Sequence, residues 1–340
     1  MDYTRTQELL TSTGKEVEWF VENYLRSDFS ISESIAGIIR YSYEDIGVRL
    51  LPFLLRISYE EGGSKFSTIL PIAAGIEMIK TSALAIDDVI DNTLLRNTKP
   101  SVYAKWGSGL ALTSGIFMYS FAFRLIAETL ESCDSCANKI GVLGALAQTH
   151  EDIYDGQFMD LEFEHDVSIT EKQFINMISK TTASFIRVPL VIGAMLWDAP
   201  PGLISALSDI GKDIGIAYQL RDDVIDIIGD SEMTGKPKAG DVRDCKMRLP
   251  VIHAMRNATT DEAKYLSSLL SNKEVLSNTE MDWVLSLMDR TGSVKYAIDM
   301  TKEYCRHATE TVTKIETDYS VLAGHLRVVS ALISSFEDEN

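Results

Sequence analysis

The stretch Ile214-Gly215-Ile216-Ala217-Tyr218-Gln219-Leu220-Arg221-Asp222-Asp223-Val224-Ile225-Asp226 decides how the chain is read. It carries no strand-like alternation and ends on the string D-D-V-I-D. The same five letters stand at Asp87-Asp88-Val89-Ile90-Asp91, 135 positions earlier. On a helix turning about 100° per residue, positions i, i+1 and i+4 share one side, so each string aims three carboxylates in roughly one direction. The flanks, Ala83 to Ile86 and Ile214 to Leu220, are largely apolar.

Outward from these strings the period stays helical, as in Ile175, Ile178, Thr182, Phe185 and Ile186, and again in Tyr265, Leu266, Leu269 and Leu270. Clusters of helix breakers are few: Glu61-Gly62-Gly63, Thr98-Lys99-Pro100, Ala199 to Gly202, and Gly229 to Asp241. An all-α protein of ten or more helices follows. With no Pro/Gly/Ser-rich linker and no shift in composition, residues 1–340 are expected to form a single domain.

The 340 residues are 45% hydrophobic and 24% charged, which excludes a disordered or collagen-like chain. Fifty acidic against 32 basic side chains give a formal charge of -18, a field that repels nucleic acid and anionic membrane surfaces. Four scattered cysteines (Cys133, Cys136, Cys245, Cys305) and no basic-then-apolar leader predict a reducing, cytoplasmic setting. Trp106 to Phe123 carries no charge over 18 residues, but its glycines, serines and threonine argue for a central helix buried on all sides rather than a membrane span.

Three carboxylates on one side of an apolar helix repel one another and lose hydration, at a cost of several kcal/mol unless neutralised. A single cluster could be a solvated helix end; two identical ones in apolar flanks call for hard divalent cations, and all-oxygen sites that leave room for phosphate oxygens suit Mg²⁺. Arg96, Lys180, Lys236 and Lys246 are placed to complete a diphosphate clamp with such metals.

From about Gly47 to about Pro250 the chain resembles the trans-isoprenyl diphosphate synthase (polyprenyl synthetase) family. The matching text is Asp87-Asp88-x-x-Asp91 with Arg96 and Pro100; Gly156-Gln157-x-x-Asp160-Leu161; Lys180-Thr181; Tyr218-Gln219-Leu220-x-Asp222-Asp223-x-x-Asp226; Gly235-Lys236-Pro237; Gly240-Asp241; Lys246; and Leu249-Pro250. The resemblance implies an isoprenoid synthase-type helical bundle, usually a homodimer. Its aspartate motifs face across a central cavity and hold three Mg²⁺ on an allylic prenyl diphosphate. The matched positions are Asp87, Asp88, Asp91, Arg96, Gln157, Lys180, Thr181, Gln219, Asp222, Asp223, Asp226, Lys236 and Lys246.

The family's site for isopentenyl diphosphate is matched poorly. Val48 and Leu51 stand where the resemblance expects Lys and Arg, Asn97 replaces a second arginine after Arg96, and Lys80 occupies a usual His or Gln position. Loss of three charge-assisted contacts, each worth roughly 1.5 to 3 kcal/mol, weakens binding by several powers of ten. The expectation is therefore a class I terpene synthase that ionises an allylic diphosphate and cyclises or quenches the cation. The alternative is a prenyltransferase with an altered acceptor site, in which Arg49 and Lys80 re-form the missing contacts.

For the hydrocarbon pocket, Phe117, Phe121, Phe158 and Phe185 are candidate walls with π-faces for a carbocation, set against ordinary core packing. Ser82 and Ala83, five and four residues before Asp87, occupy the positions that limit cavity depth in the family. Their small size predicts a substrate of C15 to C25, with C20 the favoured length.

Overall fold

The computed structural model describes residues 3–28, 31–44, 48–133, 136, 138–229, 239–271 and 275–336. Among them lie fifteen α-helices and one two-stranded hairpin, so the all-α expectation holds. In chain order these are α1 (Tyr3–Ser27), α2 (Glu33–Tyr43), α3 (Leu50–Glu60), α4 (Leu70–Ile90), β1 (Leu95–Arg96), β2 (Lys99–Pro100), α5 (Val102–Glu131), α6 (Lys139–Phe163), α7 (Glu171–Lys180), α8 (Thr182–Met195) and α9 (Pro201–Ile228). After them come α10 (Gly240–Arg243), α11 (Leu249–Asn257), α12 (Thr260–Leu270), α13 (Asn278–Arg290), α14 (Ser293–Ile315) and α15 (Ser320–Ser334).

Two compact units can be distinguished. The first comprises Met1–Leu146, Val188–Ser208 and Ile315–Val328. Its axis is α4, buried without a break from Ile72 to Ile79 because almost every side chain there is small or apolar. α4 lies along α5 and is flanked by α1 and α3. The hydroxyl of Ser82 donates to the Gly115 carbonyl at 2.8 Å, tying the two central helices together.

α5 corrects one expectation. Its inner side, including Ala111, Met118, Ala122 and Leu125, is buried, but Leu110 and Ile116 are 52% and 62% exposed. The charge-free run therefore reflects an apolar outer face, not burial on all sides. By length and composition α5 could cross a membrane, and 44% of its apolar window is buried inside the protein.

The second unit comprises Ala147–Arg187, Asp209–Lys314 and Val329–Asn340. Phe174, Leu220, Val224, Leu249, Leu266 and Val284 form part of one apolar core, with α11 packed against α7, α12 and α13. α7, α12 and α13 each begin with a capping box (Thr170/Gln173, Thr259/Glu262, Ser277/Glu280). Each N-cap contributes roughly 1 kcal/mol and fixes where its helix starts.

Candidate active site

In the first unit, α4 ends at the first aspartate string. Asp91 caps the helix, its N–H donating to the Asp87 carbonyl at 2.8 Å, and the Thr93 N–H donates to the Asp88 carbonyl at 2.9 Å. Three carboxylates at the negative end of a helix dipole need a cation. The chain supplies it by turning back through β1 and β2, joined by Asn97 (φ 49°) and Thr98 (φ 64°). Two consecutive positive φ angles make the two-residue turn whose twist matches antiparallel strands, a position asparagine tolerates well. This gives a local reason for Asn97. The hairpin itself went unread in the sequence, where Thr98-Lys99-Pro100 looked only like a breaker.

The hairpin brings Arg96 onto the aspartates. Its Nε donates to Asp88 Oδ1 at 2.8 Å, and its Nη2 lies 2.6 Å from the same oxygen and 3.6 Å from Asp87 Oδ2. Burial alone would lower the Arg96 guanidinium, but Asp88, Asp87 and Asp91 outweigh it and hold it above its ordinary value. A cleft beside Arg96 is lined by Tyr41, Thr81, Leu84, Asp88 and Lys99.

The acceptor-side residues in this unit divide sharply. Val48 is 64% exposed, whereas Leu51 is a core residue. Arg49 is buried: it donates to Glu18 Oε1 at 2.9 Å and the Tyr43 carbonyl at 2.7 Å, and lies 3.5 Å from Glu77 Oε1. It cannot also re-form an anion site. Lys80, partly exposed, pairs with the same Glu77 oxygen at 3.0 Å. Ser82 is turned into the α4–α5 contact, Ala83 is half-buried, and Phe117 and Phe121 stack on α5 with centroids 6.0 Å apart, Phe121 meeting Tyr24 edge-on.

In the second unit, two glycines set the spacing. A Cβ on Gly156 of α6 would fall 2.6 Å from the Thr181 methyl and 2.9 Å from Lys180 Cβ. One on Gly215 of α9 would fall 2.4 Å from Ala183 Cα. Only glycine lets α6 and α9 approach the α7–α8 junction this closely. One turn beyond Gly215, Gln219 accepts from the Thr182 hydroxyl at 2.5 Å, and its amide donates to Asp223 Oδ1 at 2.9 Å.

Asp223 is 3% exposed and its Oδ2 has no hydrogen-bond partner. Burial pushes its carboxyl well above the usual range, with Arg248 opposing. Asp222 is exposed, and Asp226 accepts from the N–H groups of Gly240 and Asp241, each at 3.1 Å, capping α10. Lys180 forms an ion pair with Asp155, Thr181 closes α7, and Gln157, Lys246 and Phe185 are half-buried. Phe158, expected in a pocket wall, is 60% exposed. Lys236, with Gly235 and Pro237, lies outside the described residues.

Sequence reasoning missed Arg248. Its Nη1 donates to Asp160 at 2.8 Å and its Nε to Asp241 at 3.1 Å. Nothing in the letters around Leu249-Pro250 marks it as a buried cation.

The donor set fits a hard divalent cation: carboxylates only, one of them with an orphaned buried oxygen, on helices rich in apolar residues. Among the described residues, no three Asp, Glu, His or Cys side chains already surround one point. An ion here would draw further ligands from water or substrate, as Mg²⁺ commonly does.

An all-helical fold with an aspartate string on each of two helices, one crossed by Arg96 and the other joined to Gln219, defines the class. The polyprenyl synthetase family model matches residues 32–288, and the chain belongs to that family. It is 30% identical over 299 residues to a geranylgeranyl diphosphate synthase of Saccharolobus solfataricus, covering 88% of each chain. It is 31% identical over 298 residues to a short chain isoprenyl diphosphate synthase of Methanothermobacter thermautotrophicus, covering 85% of this chain and 90% of the relative. In fold it is similar to a polyprenyl synthase from Caulobacter crescentus solved with calcium and isoprenyl diphosphate, with a TM-score of 0.87, 23% identity and 98% of each chain covered.

These relatives overturn the expectation of a terpene synthase. They are named prenyl diphosphate synthases, which favours the prenyltransferase alternative for both activity and enzyme class. The missing cations at Val48, Leu51 and Asn97 weaken the expected acceptor contacts but do not by themselves define a terpene synthase. Of the two cations on which that alternative rests, Arg49 is buried in its own ion pairs, whereas Lys80 is partly exposed beside Glu77.

Proposed function

We propose that this protein is a trans-prenyl diphosphate synthase that condenses an allylic diphosphate with isopentenyl diphosphate through an altered acceptor site. The observation that carries the reading is identity of 30% and 31%, spread over most of the chain, to proteins named as isoprenyl diphosphate synthases. The geometry supports it through the motif residues: Arg96 laid across Asp87 and Asp88, and Gln219 linking Thr182 to Asp223.

In this reading Asp87, Asp88 and Asp91 on α4, and Asp222, Asp223 and Asp226 on α9, are the Mg²⁺ ligands, for three ions in all. Bound Mg²⁺ supplies charge neutralisation of the departing diphosphate. Arg96, Lys180, Lys236 and Lys246 bind diphosphate oxygens, and Thr181, Gln157 and Gln219 orient them. The allylic C–O bond breaks with its electron pair leaving on diphosphate. The double bond of isopentenyl diphosphate attacks the cation, and the departed diphosphate takes the proton whose loss restores a double bond. Lys80 is the cation that remains for the acceptor diphosphate, and its pairing with Glu77 competes with that role. The names of the relatives favour a short product, geranylgeranyl diphosphate first among them.

A homodimer covering the exposed apolar side of α5, at Leu110, Leu112 and Ile116, is part of the proposal. So are a single domain over residues 1–340 and a cytoplasmic location; four free cysteines suit a reducing compartment.

The test is incubation with Mg²⁺ and dimethylallyl, geranyl, farnesyl or geranylgeranyl diphosphate, with and without isopentenyl diphosphate, followed by mass spectrometry. Longer prenyl diphosphates are expected only when isopentenyl diphosphate is present. Hydrocarbon or alcohol formed without it, and no elongation with it, refutes the proposal.

A further inference from the structure

Arg248 stands at the N-cap of α11 with its side chain only 12% exposed. Two carboxylates from different elements hold it, Asp160 of α6 and Asp241 of α10. Its backbone is fixed as well, the N–H donating to the Lys246 carbonyl at 3.0 Å. A planar guanidinium with two bonded edges is a rigid charge.

This charge stands beside the second aspartate string: Asp241, whose Oδ2 accepts from Arg248 Nε at 3.1 Å, donates its own backbone N–H to Asp226 Oδ2 at 3.1 Å. Asp223 is nine-tenths buried and more, and its Oδ2 has no partner, which is an open ligand position. Asp226 already accepts from two backbone N–H groups. A divalent ion approaching Asp223 therefore meets a partly neutralised cluster with a fixed cation in it. A diphosphate arriving with the ion reverses that balance by adding negative charge.

We infer that Arg248 is a resident counter-cation of the second aspartate cluster, a positioning residue that keeps divalent metal weakly held until a diphosphate binds with it. The inference rests on reading Asp222, Asp223 and Asp226 as metal ligands in the proposed synthase.

The test equilibrates full-length protein with Mn²⁺ across a dialysis membrane and takes protein-bound ion as the excess on the protein side, without substrate and then with inorganic diphosphate on both sides. Asp87→Asn and Asp91→Asn are present throughout, so that the second cluster is read alone. Arg248→Gln is expected to bind Mn²⁺ about tenfold more tightly than its parent without diphosphate, as removal of one nearby positive charge implies. Arg248→Lys should stay within about threefold of the parent, since the charge remains. Asp160→Asn leaves the guanidinium with fewer carboxylates and should weaken Mn²⁺ binding. With saturating diphosphate, parent and Arg248→Gln should converge.

Opposite signs for Arg248→Gln and Asp160→Asn cannot come from a merely structural role, which would weaken both. Equal or weaker binding in Arg248→Gln, with diphosphate-dependent binding intact, overturns the inference alone. If Arg248→Gln does not fold, binding by Asp160→Asn as tight as the parent or tighter overturns it. A parent that binds no Mn²⁺ even with diphosphate overturns the metal reading of the cluster and this inference with it.

Discussion

Replacing Arg49 by Met should be far more costly than the loss of its contacts suggests, and a second change at Glu77 should recover most of the cost. Glu77 has no exposure at all, and only one of its oxygens is engaged. That oxygen, Oε1, takes Lys80 at 3.0 Å and Arg49 at 3.5 Å; Oε2 has no partner. With Arg49 gone, Glu77 retains a single contact to a side chain that reaches solvent. Removing one partner of a buried pair costs about 3–5 kcal/mol, because the other charge is left uncompensated. Part of this has nothing to do with Glu77: the Tyr43 carbonyl loses its 2.7 Å donor, worth about 1–3 kcal/mol.

Urea unfolding of wild type, Arg49→Met, Glu77→Leu and the double variant separates the two parts as a double-mutant cycle. The single Arg49 variant should lose about 3–5 kcal/mol, and the double variant only about 1–3 kcal/mol, the share of the Tyr43 carbonyl. The double variant also releases Lys80, so its KM for isopentenyl diphosphate should not rise. A double variant as unstable as the sum of the singles would refute the argument, since the buried pair would then hold no uncompensated charge. A rise in that KM by orders of magnitude would instead make Arg49 an acceptor ligand.

Three further outcomes can be checked. Lys80→Ala should raise the KM for isopentenyl diphosphate by about 10- to 100-fold and leave that for the allylic substrate nearly unchanged, as loss of one charge-assisted contact implies; an equal rise in both would remove Lys80 from the acceptor side. Gly215→Ala should lower kcat by about a hundredfold while the protein stays folded, because a methyl 2.4 Å from Ala183 Cα must shift Thr182 away from Gln219; steady-state kinetics beside circular dichroism decides this. His325 is buried against Phe53 and bonded to Thr6 at 2.9 Å, and burial together with Arg5 holds its imidazole down at about 4. A depressed histidine contributes stability that is complete above its unfolded value of about 6.5 and is lost as pH falls through about 4. Stability should therefore drop by up to about 3 kcal/mol across that window, and His325→Gln should flatten the drop measured by urea unfolding.

What could be read from the letters follows from the range of the forces involved. The helices were legible because burial imposes a period of three to four, as on Leu266 to Leu270, although the run from Ile175 to Ile186 hid the break at Thr181 between α7 and α8, and the aspartate strings because three like charges on one helix side demand a counter-charge. The hairpin of Leu95 to Pro100 was not, since two-residue strands carry no period and its turn depends on positive φ at Asn97 and Thr98. The outer side of α5 was misjudged for a related reason. A charge-free run says that no side chain needs water, not whether another surface of the same protein covers it.

The acceptor-side cations show where counting residues falls short. Counting cations position by position treats each side chain as free to meet a ligand, but a charge in a folded protein acts through whatever already neutralises it. Arg49 stands next to Val48 in sequence and looks like its substitute, yet it is committed to Glu18, Glu77 and the Tyr43 carbonyl. Lys80 shares Glu77 with Arg49, so the loading of one carboxylate decides how firmly Lys80 is held. Arg248 is the same effect in the second unit, a cation whose partners lie on α6 and α10, 88 and 7 residues away along the chain. Such couplings exist only between side chains that the fold brings together. A cation's charge therefore has to be read together with the carboxylate that holds it, as Lys80 with Glu77 and Arg248 with Asp160.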